Sequence, residues 1–276
     1  MISILTDFGY EDTYVAAMKA VIYGIAPSEK VLDLTHSIPH GDVLRGALDL
    51  WRIAPVLPPG TVLLGVVDPG VGTARKAIAF RTSNFICVGP DNGLFSYLFD
   101  RQSIDTAFEI NNPEYSSGLS STTFHGRDIF APAAAHLATG VALRKLGPKV
   151  DRLVQLPHPV LEVIRQDLIQ GEVLYADHFG NLVTSIGMLS GQHSHLRLNP
   201  WMKKTGPIEF ADTDPVVLLP DGTRIPLTEA FGDVPPDSLT AYIGSAGLLE
   251  IAVHGGSASE RTGLTRGQPI ELRLRG

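Results

Sequence analysis

The sequence contains a single cysteine among its 276 residues. An intrachain disulfide framework and a thiolate metal cluster are therefore both excluded. Cys87 stands inside the apolar run 85–88. A free cysteine in such a run more often serves as a small buried strand residue than as a catalytic thiol, and burial is the expectation here.

Basic charge is also scarce, with 22 Lys and Arg against 29 Asp and Glu and a formal net charge of −7. No run of Lys and Arg offers a footprint for a nucleic-acid backbone, so nucleic acid is not an expected partner. No stretch approaches the ~18 consecutive apolar residues of a membrane helix. The first residues carry no basic segment and no cleavage site, which favours a cytoplasmic protein without a membrane anchor.

Motifs for common cofactors and metals are missing as well. The sequence has neither a GxGxxG motif in a βαβ unit nor a P-loop, so dinucleotide and triphosphate binding lose support. His36 and His40 stand four apart, but Pro39 disfavours a shared helix face. His193 and His195 alternate without a nearby third ligand. We therefore expect no metal and no cofactor.

The first 150 residues alternate short apolar runs with amphipathic stretches. Strands are predicted at 2–5, 31–34, 61–67, 77–81 and 85–88, and helices at 12–25, 41–53, 94–99 and 130–139. This alternation predicts an α/β domain with a mostly parallel sheet and helices on both faces.

Beyond about residue 171 the pattern changes to short apolar segments separated by Gly, Pro, Asp and Asn. Such spacing predicts a smaller all-β domain, either a barrel or a sandwich. The expected division is a domain at 1–155, a linker at 156–170 and a domain at 171–276. A helix is predicted near 161–169, within and beside the linker.

Polar residues follow the predicted strands where they end. Asp7 follows the first strand, and Asp68 follows the third. Ligands of open parallel sheets bind at the carboxyl ends of strands, so both carboxylates point to one crevice. The alternatives are a helix cap or a turn aspartate for Asp7, and an Asp-Pro-Gly turn for Asp68. Arg75 and His125 can reach the same crevice, and an Asp, an Arg and a His together can bind and polarise a water.

Two further segments lie in the predicted β domain. Asp177 and Asn181 flank a glycine turn, where their carboxylate and amide can read the ammonium and carboxylate of an amino acid. An ordinary hairpin turn is the alternative. Ser245 lies in the small-residue stretch 244–247, which allows close approach to a flat ring but also suits a simple turn.

Together these segments resemble the S-adenosyl-L-methionine (SAM) hydroxide adenosyltransferase family, which is related to fluorinase and chlorinase enzymes. The resemblance covers almost the whole chain. The matching motifs lie at 6–9, 33–37, 68–75, 89–94, 124–128, 177–181 and 244–247. It implies a Rossmann-like N-domain, a C-terminal β-barrel, and a homotrimer with sites between the N-domain of one subunit and the C-domain of its neighbour.

The resemblance also implies roles for individual residues. Asp7 would hold the ribose hydroxyls, and Phe124 would pack against the substrate. The methionine portion would be held by three residues of the second domain, namely Asp177, Asn181 and Ser245. The water-activating set would be Asp68, Arg75 and His125. The implied reaction is hydrolysis of SAM to adenosine and L-methionine, with SAM as substrate and no cofactor.

Three alternatives remain open at this stage. The halogenating relatives carry an aromatic residue at the position of Asp68 and a halide-binding serine at that of Gly126, which weighs against a halide adenosyltransferase. A non-catalytic adenosyl-ligand sensor would not need a water-activating set. A divalent-metal hydrolase would use Asp7, Asp68 and His125. Val183 and Ala246 stand where fluorinase has a tryptophan and an arginine, so the contacts of those two residues do not transfer.

Overall fold

The computed structural model describes residues 1–99, 104–119, 121–192, 194–201, 206–211 and 213–274. The chain folds into two compact units, unit 1 (Met1–Leu156) and unit 2 (Pro157–Gly276). Both are built from the element types that the residue patterns predict, an α/β unit followed by an all-β unit.

Unit 1 contains one mixed sheet in its described part. Its strands are β1 (Ile2–Thr6), β2 (Val31–Thr35), β3 (Val62–Val66), β4 (Ala77–Thr82), β5 (Ile86–Pro90), β6 (Ile104–Glu109) and β7 (Lys149–Val150). Their order in the sheet is β2-β1-β3-β5-β4-β6-β7. The pairings from β2 to β5 are parallel, and those from β5 to β7 are antiparallel. The predicted α/β class is confirmed. The parallel half of the sheet contains β1 and β3, the strands that precede Asp7 and Asp68.

Helices cover both faces of this sheet. They are α1 (Tyr14–Ile25), α2 (Val43–Ile53) and α3 (Ala131–Ala138). Met18 and Ile22 of α1 pack with α3 in one core, while Leu50 of α2 packs in a second core. The helix α2 begins where the Asp42 side chain accepts a hydrogen bond from Arg45 N at 3.0 Å, an N-cap. Strands buried on both faces explain the nearly continuous apolar run of β3.

Cys87 of β5 is fully buried and unpaired, as predicted from its apolar run. Burial raises the pKa of its thiol far above the usual range. A thiol that stays protonated is a poor nucleophile, so Cys87 is a packing residue.

Unit 2 is antiparallel and nearly closed on itself. Its described residues include a short helix, α4 (Ala258–Thr262), and the strands β8 (Leu161–Arg165), β9 (Leu168–Ala176), β10 (Leu182–Thr184), β11 (Leu189–Gln192), β12 (His195–Leu198), β13 (Ile208–Ala211), β14 (Val216–Leu218), β15 (Arg224–Pro226), β16 (Leu239–Ile243), β17 (Leu249–Val253) and β18 (Pro269–Arg273). The main sheet runs β15-β14-β18-β9-β10-β17-β16. Leu227, just after β15, bridges Ala241 of β16, so the two ends of the sheet meet. The expected barrel-type domain is confirmed.

The helix predicted near 161–169 is wrong. These residues form β8 and the start of β9, which pair antiparallel with Leu161 opposite Gly171. The β-branched pair Val163 and Ile164 favours an extended chain, and a two-residue turn at 166–167 closes the hairpin. The apolar spacing was too short to separate strand from helix, and pairing with β9 decided the outcome.

Candidate active site

Two neighbouring parallel strands place the carboxylates of Asp7 and Asp68 at one edge of the sheet. β1 pairs with β3 in parallel, with Thr6 opposite Val66. Asp7 follows Thr6 directly, and Asp68 follows β3 after one further buried residue. The chain leaves both strands at the same edge, so both side chains face one crevice, as the sequence predicts.

A pocket of about 360 Å³ lies at this edge, entirely within unit 1. Its volume falls in the range of small-molecule sites. The residues lining it are Asp7, Phe8, Tyr14, His40, Val66, Asp68, Val71, Thr123, Phe124, His125 and Gly126. The pocket thus combines carboxylates and a histidine with an aromatic wall.

Arg75 joins Asp68 to His125. Its Nε donates to Asp68 Oδ1 at 2.9 Å and to Oδ2 at 3.0 Å, and its Nη2 also donates to Oδ2. The same Nη2 lies 2.7 Å from His125 Nδ1. The side chains of Arg75 and Asp68 are only 10% and 5% exposed, so the ion pair is largely removed from water. The backbone of Asp68 also makes the alternative turn, since its carbonyl accepts from Val71 N at 3.2 Å.

The contact with Arg75 fixes the protonation of His125. A guanidinium only donates hydrogen bonds, so Nδ1 must accept, and neutral His125 carries its proton on Nε2. Burial lowers the pKa of His125, and the charge of Arg75 lowers it further. The neutral ring is therefore the form that the site holds. His125 immediately precedes a π-helical turn, Gly126–Phe130, which leads into α3.

Asp7 is held by the loop after β2. Its Oδ2 accepts from Gly41 N at 2.8 Å, and His40 Nδ1 lies 3.5 Å from the same oxygen. Asp7 caps no helix, because α1 begins at Tyr14 with Thr13 at its N-cap position. The helix-cap alternative for Asp7 is therefore wrong, and its carboxylate lines the pocket.

Three aromatic rings form the apolar wall of the pocket. The centroids of Phe8, Tyr14 and Phe124 lie 5.1 to 5.9 Å apart in tilted or edge-to-face contacts. The Arg127 guanidinium lies 5.1 Å from the centre of the Phe124 ring. The sequence singled out only Phe124 among the three rings. Tyr14 is the first residue of α1 and is partly exposed. An aromatic residue at that place, after a strand-end loop, is the signal that could have found it.

Asp128 is a further buried residue of this region, and the sequence motifs predicted no role for it. Its buried carboxylate accepts from Arg127 Nε at 2.6 Å, Ser117 Oγ at 3.1 Å and Ser121 N at 3.1 Å. Burial would raise the pKa of Asp128, but these hydrogen bonds lower it below its usual range. The charged carboxylate therefore ties down the chain that leads to His125.

In unit 2, Asp177 and Asn181 lie together in one tight turn. Asp177 Oδ1 accepts from Phe179 N at 2.8 Å and from Asn181 N at 2.9 Å, and Asn181 Nδ2 donates to Oδ2 at 3.1 Å. Gly180 takes φ +81°, and a Cβ there would lie 2.2 Å from Ser257 Oγ, so only glycine fits. These hydrogen bonds close the turn, and Asn181 is buried.

Ser245 lies in the turn between β16 and β17. Gly247 N donates to Gly244 O at 2.8 Å, and Gly247 takes φ +78°. Ser245 is exposed at the tip of this turn. The small residues of the stretch therefore build a hairpin turn, and the hydroxyl of Ser245 is accessible from it.

The described members of the two histidine pairs of the sequence, His36 with His40 and His193 with His195, do not form a metal site. His36 is fully buried, whereas the side chain of His40 is 94% exposed at the pocket. His195 lies 3.3 Å from Glu209, and His193 lies outside the described residues. Among the described residues, no group of three or more His, Cys, Asp or Glu side chains is arranged to hold a metal. Within the same ranges, every helix is too short or too polar to cross a membrane.

Comparison with known families matches both units. Residues 2–147 match the family described as the SAM hydroxide adenosyltransferase N-terminal domain, and residues 171–271 match its C-terminal domain. A protein of Thermus thermophilus named (R)-S-adenosyl-L-methionine hydrolase is 43% identical, over 97% of both chains. A protein of the same name from Salinispora arenicola is 40% identical, over 98% of this chain and 97% of the relative.

More distant relatives and solved structures extend the match. A fluorinase of Nocardia brasiliensis is 24% identical over 99% of this chain and 97% of its own. The crystal structure of an uncharacterized conserved protein from Thermotoga maritima superposes with a TM-score of 0.85 at 36% identity, covering 99% of this chain and 100% of that one.

Proposed function

The chain belongs to the SAM hydroxide adenosyltransferase family, and we propose that it is an enzyme that hydrolyses SAM to adenosine and L-methionine. The observation that carries the proposal is the guanidinium of Arg75, bound at once to Asp68 and His125 beside a pocket of substrate size. Four relatives at 34–43% identity are named (R)-S-adenosyl-L-methionine hydrolase.

In this reaction a water oxygen attacks C5′ of the adenosyl group. The C5′–S bond breaks, its electron pair goes to sulfur, and one proton is released. The sulfonium becomes a neutral thioether, so methionine leaves without a general acid. The difficulty lies in the nucleophile, because bulk water has a pKa of ~15.7. The site therefore has to orient a water and stabilise its hydroxide character.

Asp68, Arg75 and His125 divide this work by their hydrogen-bond capacities. With Nδ1 occupied by Arg75, His125 presents Nε2–H, a donor that orients the water through an oxygen lone pair. Asp68 supplies acceptor oxygens and takes the proton from the attacking water. Arg75 offsets the negative charge that develops on the oxygen. Orientation alone is worth ~7–11 kcal/mol in model reactions, so a modest base suffices.

Asp7 binds the ribose hydroxyls. Both of its contacts in the described structure involve Oδ2, so Oδ1 can accept from a ligand. The Phe124 ring packs against the adenosyl group from the apolar side of the pocket. The second unit supplies the methionine subsite, in which Asp177 and Asn181 read the ammonium and carboxylate and Ser245 adds a hydroxyl.

The working assembly is a homotrimer, in which unit 1 of one subunit and unit 2 of its neighbour complete a site. Light scattering measures the mass of the assembly and so tests for a trimer. Mixing two inactive variants tests whether each site is shared between two subunits. Asp68→Asn and Asn181→Ala subunits, each inactive alone, should regain about a quarter of wild-type activity after refolding together at equal amounts. Sites built from a single subunit would stay inactive in the mixture.

The reaction uses SAM as substrate and neither a metal nor another cofactor. It takes place in the cytoplasm, where an unpaired thiol such as Cys87 stays reduced. No nucleic-acid or membrane partner is part of the proposal.

A chromatographic assay of the purified protein with SAM tests the proposal. Adenosine and methionine should appear in equal amounts, at the same rate with chelator and across chloride concentrations. Asp68→Asn should slow product formation by about 10²- to 10⁴-fold, whereas replacing Asp151, an exposed acid outside the pocket, by asparagine should not. Binding of SAM without any product would favour a sensor. Formation of 5′-chloro-5′-deoxyadenosine would favour a halide transferase, and loss of activity with chelator would favour a metal hydrolase. Each of these three results would overturn the proposal.

A further inference from the structure

A buried histidine outside the pocket connects the ends of β1 and β2. His36 follows β2 and is fully buried, with Nδ1 2.8 Å from the side-chain oxygen of Thr6, the last residue of β1. Thr6 Oγ1 in turn accepts from Phe8 N at 3.2 Å. Asp7 stands between Thr6 and Phe8 in the chain, so both of its neighbours take part in these hydrogen bonds.

The chemistry of the neighbours gives this contact a direction. His36 Nε2 lies 3.2 Å from Asp33 Oδ1, at an angle that does not make a hydrogen bond but favours a proton on Nε2. Burial lowers the pKa of His36, so the neutral ring is present. Nδ1 is then an acceptor, and the Thr6 hydroxyl donates to it. That leaves the lone pairs of Thr6 Oγ1 directed at Phe8 N.

The far end of this chain is fixed by an ion pair. Lys19 Nζ of α1 donates to Asp33 Oδ2 at 2.6 Å. Burial would raise the pKa of Asp33, but its interactions with Lys19 and His36 lower it below the usual range. A charged carboxylate thus stays beside the His36 ring and sustains the tautomer that accepts from Thr6.

His36 also holds the residues that follow Asp7. Its carbonyl accepts from Gly9 N at 2.8 Å, and the Tyr10 ring packs edge-on against the imidazole at 4.9 Å. Gly9 takes φ +68°, which lets the chain turn back over His36. Together with the Thr6 contact, these interactions restrain the segment 6–10 on both sides of Asp7.

We propose that Thr6 and His36 are positioning residues, which set the orientation of Asp7 and Phe8 in the pocket through the hydroxyl–imidazole contact and so determine affinity for the adenosyl half of the substrate. The inference rests on the proposed function through the ribose-binding role of Asp7. Neither residue lines the pocket, so both act only through the segment that they hold.

The test removes the Thr6 hydroxyl and measures the two halves of the substrate separately. Thr6→Val keeps the β-branched shape, and Thr6→Ser restores the hydroxyl. Ser3→Ala is the matched control, because Ser3 is fully buried on the same strand and its hydroxyl has no partner in the described structure. Calorimetry measures the Kd of adenosine and of methionine, and steady-state assays measure KM and kcat for SAM.

Thr6→Val should raise the adenosine Kd and the KM about tenfold, as expected for one lost hydrogen bond. Its methionine Kd and kcat should stay close to wild type. Thr6→Ser should restore the adenosine Kd, and Ser3→Ala should leave every value unchanged. A purely structural role would instead lower stability while leaving the adenosine Kd of the folded protein as in wild type, and this result would overturn the proposal.

If Thr6→Val does not fold, Asp33→Asn gives the same comparison at a side chain that is 29% exposed. It removes the charge that fixes the His36 tautomer, so it too should weaken adenosine and spare methionine. An unchanged adenosine Kd would again refute the inference. The adenosine measurement needs no turnover, so failure of wild-type SAM hydrolysis would count against the proposed function and not against the positioning role.

Discussion

Replacing Asp68 by asparagine tests both the proposed chemical role of its carboxylate and its part in the ion pair with Arg75. The variant keeps the volume of the side chain but turns one acceptor oxygen into a donor amide. The Nε of Arg75 donates to both oxygens of Asp68, at 2.9 and 3.0 Å. In the variant, the new amide group would face an N–H group of Arg75 in place of one of these acceptors. The proposed water-activating group and the partner of a buried cation are thus lost together.

The two losses have different magnitudes and different readouts. Positioned acid–base groups contribute about 10²- to 10⁴-fold, so kcat for SAM hydrolysis should fall by that factor with little change in KM. Since Arg75 and Asp68 are only 10% and 5% exposed, leaving the guanidinium without its carboxylate should cost about 3 kcal/mol. Calorimetry should then record a melting temperature ~6–12 °C lower.

A second variant separates these effects. Asp68→Asn combined with Arg75→Met removes both charges, so no cation is left without its partner and most of the lost stability should return. Activity should remain at the level of Asp68→Asn or below it. If Asp68→Asn retains kcat within about threefold of wild type, the assignment of Asp68 as the acceptor of the water proton is refuted.

Three further predictions concern the same pocket. The proposed water-orienting role needs neutral His125, whose pKa is lowered by burial and by the charge of Arg75. The value of kcat/KM should therefore fall as the pH drops through that lowered pKa, and in Arg75→Met the acid limb of the pH profile should move to higher pH. An unmoved limb would show that another group controls it. Asp7→Asn should raise the KM for SAM about tenfold with kcat nearly unchanged, because a ligand hydroxyl loses a charged acceptor; an equal loss in kcat would assign Asp7 to the chemical step. A Cβ at Gly126 would lie 3.1 to 3.3 Å from atoms of Phe8, Met18 and Phe124. Gly126→Ala should therefore shift the aromatic wall of the pocket and raise the KM for SAM. Gly24→Ala is the control, because a Cβ at Gly24 meets open space.

The location of the site was readable from the sequence because it depends on local rules. Apolar runs and helical periodicity predicted the parallel strands of unit 1, and residues that follow parallel strands meet at one edge of the sheet. Asp7 and Asp68 were found in this way. The barrel-type character of unit 2 followed from short segments and turn residues in the same manner.

The arrangement within the site depends on distant parts of the chain. The contact of Arg75 with His125 joins residues 50 apart, and that of Thr6 with His36 joins residues 30 apart. Spacing along the chain carries no information about such distances, so neither the tautomer of His125 nor the placement of His36 could be read from the motifs.

The sequence by itself determined the α/β and all-β units, the burial of Cys87 and the edge at which the pocket lies, because side-chain periodicity and turn chemistry act over a few residues. Only the tertiary structure decided that residues 161–165 pair as a strand, since a five-residue apolar segment suits either state until a partner strand is present. It also decided which nitrogen of His125 faces Arg75, because a hydrogen bond is specified by distance and direction in space.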